Sequence, residues 1–106
     1  MTDKIVVLST CDSAAKASEL ARMLVEKRLA ACVTIVPGAT SVYRWKDQIE
    51  NAEEWMLVIK STRDLFPSLR AELLRVHSYE VPEVLALPVI DGSPGYLEWL
   101  DREVSS

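Results

Sequence analysis

The sequence predicts an α+β fold of the ferredoxin-like type, a βαββαβ sandwich with a long hairpin between its second and third strands and a short C-terminal helix. Three observations carry this. Apolar, β-branched runs at residues 5–8, 31–36 and 55–59 have strand composition, two intervening stretches repeat apolar residues at helical spacing, and a polar turn at 46–48 joins two strand runs with no helix between them.

Each element has its own signal. Residues 5–8 (Ile-Val-Val-Leu) form a short buried strand, closed by the polar stretch 9–13, where Asp12 or Ser13 caps a helix. From 14 to 29, Ala17, Leu20, Ala21, Leu24, Val25 and Leu29 recur at three- and four-residue steps, the mark of an amphipathic helix. Residues 31–36 return to strand, and Pro37-Gly38 interrupts it, so this strand is expected to be bulged or to lie at an edge. It resumes at 40–45, turns at Lys46-Asp47-Gln48, and returns through an acidic stretch into 55–59, which is apolar on both faces and suits a central strand. Asp64 and Pro67 open a second helix striped by Phe66, Leu69, Leu73 and Val76, with His77 at its end. Pro82 and Pro88 confine 81–90 to an edge strand, and 96–100 begins the terminal helix.

Composition bounds the function. The 106 residues carry 12 Lys plus Arg against 16 Asp plus Glu, a net charge of −4, and nothing separates them into more than one domain, residues 1–106. Without a basic cluster there is no electrostatic footprint for a phosphate backbone, which argues against nucleic acid as a partner. The first apolar run is too short for a secretory or membrane segment, so no membrane association and a cytoplasmic location are expected. Cys11 and Cys32 read as reduced thiols, Cys32 as a small buried hydrophobe and Cys11 as an exposed thiol in the strand-to-helix loop.

Both helices should cover one face of the sheet, yet the strands are apolar on both sides. Val42, Trp45, Trp55 and Met56 in the hairpin therefore call for a partner subunit, since apolar burial contributes roughly 25 cal/mol per Å². Chemistry-bearing motifs are absent: no phosphate loop, no zinc-ligand spacing and no nucleophile elbow. The densest polar cluster is His77-Ser78-Tyr79-Glu80-Val81-Pro82-Glu83. His77 reads either as a helix-terminal residue suited to the macrodipole or, with Cys11 or a carboxylate, as a borderline ligand for Cu(II) or Zn(II). Glu50, Glu53 and Glu54 read as a solvated face. Tyr43, Arg44, Trp45 and Lys60 suit either subunit contacts or an anion pocket. His77 beside Ser78 lacks any oxyanion or nucleophile context, so an enzyme is not expected.

The segments Leu29-Ala30-Ala31-Cys32-Val33, Ile35-Val36-Pro37-Gly38, Ser41-Val42-Tyr43-Arg44-Trp45, Ile59-Lys60-Ser61-Thr62 and His77 through Glu83 resemble the CutA divalent-cation-tolerance family, in order and over nearly the whole chain. The resemblance implies a homotrimer of PII-like architecture that binds Cu(II) or another divalent metal, responds to metal ions and uses no organic cofactor. It also implies His77 as a metal ligand, to which the residues themselves add Cys11, two positions after the Ser9 that stands at the family's cysteine, and it implies Tyr43, Trp45, Lys60, Tyr79 and Glu83 around an intersubunit cleft. A PII-like sensor holding a small anion through Lys60, Tyr43 and His77 is the alternative reading.

Overall fold

Alternation along the first strand, β1 (Lys4–Cys11), decides where the core lies. Ile5, Val7 and Cys11 point to one side and are buried, whereas Val6 and Leu8 point to the other and are only half-buried. The structure, a computed structural model, describes residues 1–104. After β1 come α1 (Ala14–Glu26), β2 (Cys32–Trp45), β3 (Gln48–Thr62), a 3-10 turn at Arg63–Leu65 that runs into α2 (Phe66–Val76), β4 (Leu85–Pro88) and α3 (Pro94–Glu103). The strands form one antiparallel sheet in the order β2-β3-β1-β4, the predicted ferredoxin-like arrangement.

The core joins Ile5, Val7 and Cys11 to Leu57 and Ile59 of β3, Ala17, Leu20 and Leu24 of α1, and Leu69 and Leu73 of α2. Both helices thus cover the same sheet face. The Ser13 hydroxyl caps α1 by accepting from the Lys16 N–H at 3.0 Å. That helix stops at Glu26, short of the expected Leu29, because Arg28 adopts φ 57° and the Leu29 N–H turns back to the Leu24 carbonyl at 2.9 Å. Leu29 still packs on the core, from the loop. A second cluster sets Leu100 and Val104 against Ala31. The buried Lys4 ammonium pairs with Asp3 and, at 2.9 Å, with Asp101, tying α3 to β1.

Several expectations need correction. Cys11 is the last residue of β1, fully buried on the helix side, and Cys32 is half-buried with its sulfur 3.5 Å from the Tyr96 hydroxyl. Trp55 pairs with Cys11 and packs against the helix-side core, so it does not belong to the uncovered face. β4 pairs only over Leu85–Pro88, because residues 78–84 are drawn away to the end of β1.

The opposite sheet face has no helix over it. Register places Val6, Leu8, Val58, Met56, Thr34 and Val36 on this side, with Leu85 and Leu87 of β4 56% and 46% exposed beside them. Beyond the end of β1, at Cys11 opposite Trp55, the β2-β3 hairpin pairs only with itself and projects as an arm. Its tip turns at Lys46 and Asp47, with φ of 49° and 67°, the left-handed pair that a two-residue type I′ hairpin demands.

Candidate functional site

A strand normally sends every second side chain to the same face. On that rule alone Thr34 and Val36 would be followed by Val42 and Arg44. The bulge between Val36 and Ala39, with Gly38 at φ 76°, inserts one residue and reverses the parity. Ala39, Ser41, Tyr43 and Trp45 therefore share the face of Glu54, Met56 and Thr10. The predicted interruption at Pro37-Gly38 is thus what aims the aromatic residues of the arm.

The other wall comes from the end of α2. His77 leaves helical geometry at φ −63° and ψ 145°, and the chain runs on as an irregular segment toward β4. Between this segment and the hairpin arm lies a cavity of about 690 Å³, lined by Thr10, Tyr43, Trp45, Glu54, Tyr79 and Glu83 among others. Tyr43, Trp45, Tyr79 and Glu83, the residues that the family resemblance groups around a cleft, all lie on this wall.

A chain of hydrogen bonds holds the wall in place. The Tyr79 hydroxyl donates to Glu54 Oε2 at 2.6 Å, and the Tyr79 backbone N–H donates to His77 Nδ1 at 3.0 Å. His77 Nε2 then donates to the Thr10 carbonyl at 2.7 Å, which fixes the neutral imidazole with its proton on Nε2. The two rings lie 4.8 Å apart, tilted by 50°. Burial, and then the bond to the Glu54 carboxylate, pushes the Tyr79 phenol well above its ordinary range, so Tyr79 stays a donor. The His77 imidazole bonds to a strand carbonyl, not to the last carbonyls of its own helix as the macrodipole reading expects; only its backbone N–H bonds within α2, to Leu73.

Glu54 departs from the solvated face that its sequence neighbours suggest. It is 5% exposed, whereas Glu50 and Glu53 are exposed as expected. The signal that could have found it is its alternation with Met56 and Val58, which puts it on the apolar row of the helix-free face despite its acidic neighbours.

Two other candidates stand differently. Cys11 adjoins Thr10, on whose carbonyl His77 rests, but its side chain points into the core and approaches the Ser13 carbonyl at 3.6 Å. Burial pushes its thiol pKa up. Lys60 is absent from the cavity wall; it lies six strand residues from Glu54, about 20 Å along β3, and donates to the Thr34 hydroxyl at 3.2 Å. Among the described residues no group of three or more His, Cys, Asp or Glu side chains is gathered closely enough to hold a metal ion. No helix among them is long and apolar enough to cross a membrane.

Comparison with known proteins places this geometry in a family. Residues 5–103 match the family model described as CutA1 divalent ion tolerance protein. A divalent-cation tolerance protein CutA from Thermus thermophilus is 47% identical over 95 residues, covering 90% of this chain and 92% of that relative. Mouse protein CutA is 47% identical over 97 residues, and the match spans 92% of this chain but only 55% of the mouse protein. A solved structure of the divalent cation tolerance protein from Thermus thermophilus superposes with a TM-score of 0.94 at 44% identity, covering 96% of this chain and 99% of that one. With the family model matching almost end to end and relatives this similar over most of this chain, the chain belongs to the CutA1 divalent ion tolerance family.

Proposed function

We propose that this protein is a cytoplasmic homotrimer of PII-like architecture that binds a divalent metal, Cu(II) or Zn(II), and takes part in the response to such ions without being an enzyme. The observation that carries the assembly is the uncovered sheet face, where Val6, Leu8, Val36, Met56, Val58, Leu85 and Leu87 offer apolar area that a second copy would bury. Lys60 lies on that face and so belongs between subunits. The relatives' name, divalent-cation tolerance protein, supports the metal part. Two free thiols fit a reducing compartment.

His77 and Cys11 are the proposed ligands, because the imidazole rests on the carbonyl immediately before Cys11. Ligation through Nε2 requires that bond to open, and ligation by sulfur requires the buried thiol to lose its proton. Binding therefore releases protons and tightens as pH rises. The test is light scattering for the oligomer, followed by titration of Cu(II) and then Zn(II) into the reduced protein, its His77→Ala variant and its Cys11→Ser variant. A trimer with stoichiometric binding lost in both variants is expected. A monomer refutes the assembly, and unchanged stoichiometry in His77→Ala refutes the site.

A further inference from the structure

The segment between β4 and α3 carries a reactive pair that neither the core nor the proposed metal site uses. Asp91 is followed by Gly92, and of the six aspartates in the chain it alone precedes glycine. Without a Cβ, the nitrogen of glycine can approach a neighbouring carbonyl carbon that a side chain would screen. The pair lies at the end of the sheet where β1 begins, since the Val89 N–H donates to the Lys4 carbonyl at 3.1 Å. It is therefore remote from the hairpin arm, which projects past the other end of β1. Both residues are exposed and belong to neither helix nor strand.

The local geometry favours reaction between them. The Gly92 N–H donates to Asp91 Oδ1 at 2.8 Å, which sets the side-chain carboxyl against the one nitrogen able to close a five-membered ring with it. No amide of residues 90–92 donates to another backbone group among the described residues, so the backbone is free to turn here. On either side it is pinned, by Val89 to Lys4 and by the Tyr96 and Leu97 amides to the Ser93 carbonyl at 3.1 and 3.0 Å.

We propose that Asp91-Gly92 is a site of spontaneous aspartyl isomerisation that controls how α3 is docked. The Gly92 nitrogen attacks Cγ of Asp91 in its carboxylic acid form. An N–C bond forms, a C–O bond breaks, and the amide proton departs with the hydroxyl as one water, leaving a cyclic imide. Water then adds to one of the two imide carbonyls. Opening at Cγ restores aspartate, whereas opening at the main-chain carbon routes the backbone through the side chain and frees the α-carboxylate, with no net change in atoms. The isomer does not fit the present start of α3. A Cβ on Gly92 would already meet Leu97 Cδ2 at 3.1 Å, and the extra backbone carbon enters beside that contact. Ser93 caps α3 without a side-chain hydrogen bond, so the helix start depends on the path of the backbone at 92–93. α3 in turn carries Asp101 to Lys4 and Leu100 to Ala31. Isomerisation therefore loosens α3 and leaves the core between the sheet and the other two helices in place.

The test incubates the protein as purified, with a urea-unfolded sample alongside, at physiological temperature in water enriched in heavy oxygen. Electron-transfer fragmentation tells the two linkages apart. It should find isoaspartate at residue 91 of the folded protein, carrying one solvent oxygen, at a rate at least about tenfold above that at any other aspartate. Asp91→Glu, whose ring would need one more atom, should fold and show neither the isomer nor the label. The isomer, separated by chromatography, should exchange its α3 amides faster than the parent protein, with those of β1 and β3 unchanged. A rate at Asp91 no higher than at the other aspartates, isoaspartate that forms only in urea, or equal α3 exchange in the two forms overturns the proposal. None of these readouts involves a metal, so the result stands apart from the proposed metal site.

Discussion

Replacing Tyr79 with Phe removes one oxygen and, with it, the only hydrogen bond donated to the Glu54 carboxylate among the described residues. The acceptor is a carboxylate with 5% exposure, so water replaces the lost donor poorly. Hydrogen bonds to charged groups contribute about 1.5–3 kcal/mol, and about 2 kcal/mol is expected here. With a urea m-value of ~2 kcal/mol/M for a small domain, the unfolding midpoint should fall by about 1 M. The pH dependence supplies a sharper check. The folded phenol titrates above its ordinary value of 10.0. Wild-type Tyr79 therefore contributes its full stabilisation below about pH 10, and loses it as pH rises through the higher folded value, because the unfolded phenol ionises first. The gap between wild type and Tyr79→Phe should be flat from neutral pH to about 9 and narrow beyond about 10. Equal stability at neutral pH, or a gap that grows in alkali, refutes the reasoning.

The remaining predictions concern the frame that holds this site. Leu57→Ala, at a fully buried position between both helices and the sheet, should cost about 2–5 kcal/mol in chemical denaturation. Ser13→Ala removes the α1 cap at the end of the turn that follows Cys11, and should cost about 1 kcal/mol by the same assay, with Ser13→Asp restoring most of it. The His77 tautomer should appear in imidazole nitrogen NMR as a protonated Nε2 and an unprotonated Nδ1. A doubly protonated or Nδ1–H ring at neutral pH contradicts the hydrogen-bond chain.

What the sequence makes legible follows from how local each signal is. β1 and β3 carry continuous apolar runs, α1 a clear 3.6-residue stripe and Pro37-Gly38 a specific backbone demand, and each appears where its signal lies. The end of α1 is harder, because Arg28 takes a left-handed conformation that normally announces itself as glycine. Glu54 is obscured by Glu50 and Glu53, whose solvated character is genuine. Its burial arises from Tyr79, 25 residues away, and no local window contains that pairing. Cys11 is hidden for a related reason. The polar letters Ser9 and Thr10 end the apolar run in the sequence, while the ladder to β3 continues through Cys11 opposite Trp55. Tyr43 and Trp45 join Tyr79 and Glu83 through resemblance; their common face depends on a one-residue parity change that alternation alone places wrongly.

That parity change makes the arm's chemistry depend on how β2 pairs with β3 and not on how many residues β2 contains. Deleting Gly38 while preserving the pairing on both sides would remove the bulge and leave Ala39 opposite Glu54, so Tyr43 and Trp45 would keep the face they occupy now. Straightening the bulge with every residue kept, so that Gly38 pairs with Glu54, would instead slip the later pairs by one and turn Thr40, Val42 and Arg44 to the cavity. A sequence one residue shorter at this point therefore presents the same wall as long as its pairs with β3 are kept, whereas a slip of register at constant length exchanges the whole lining.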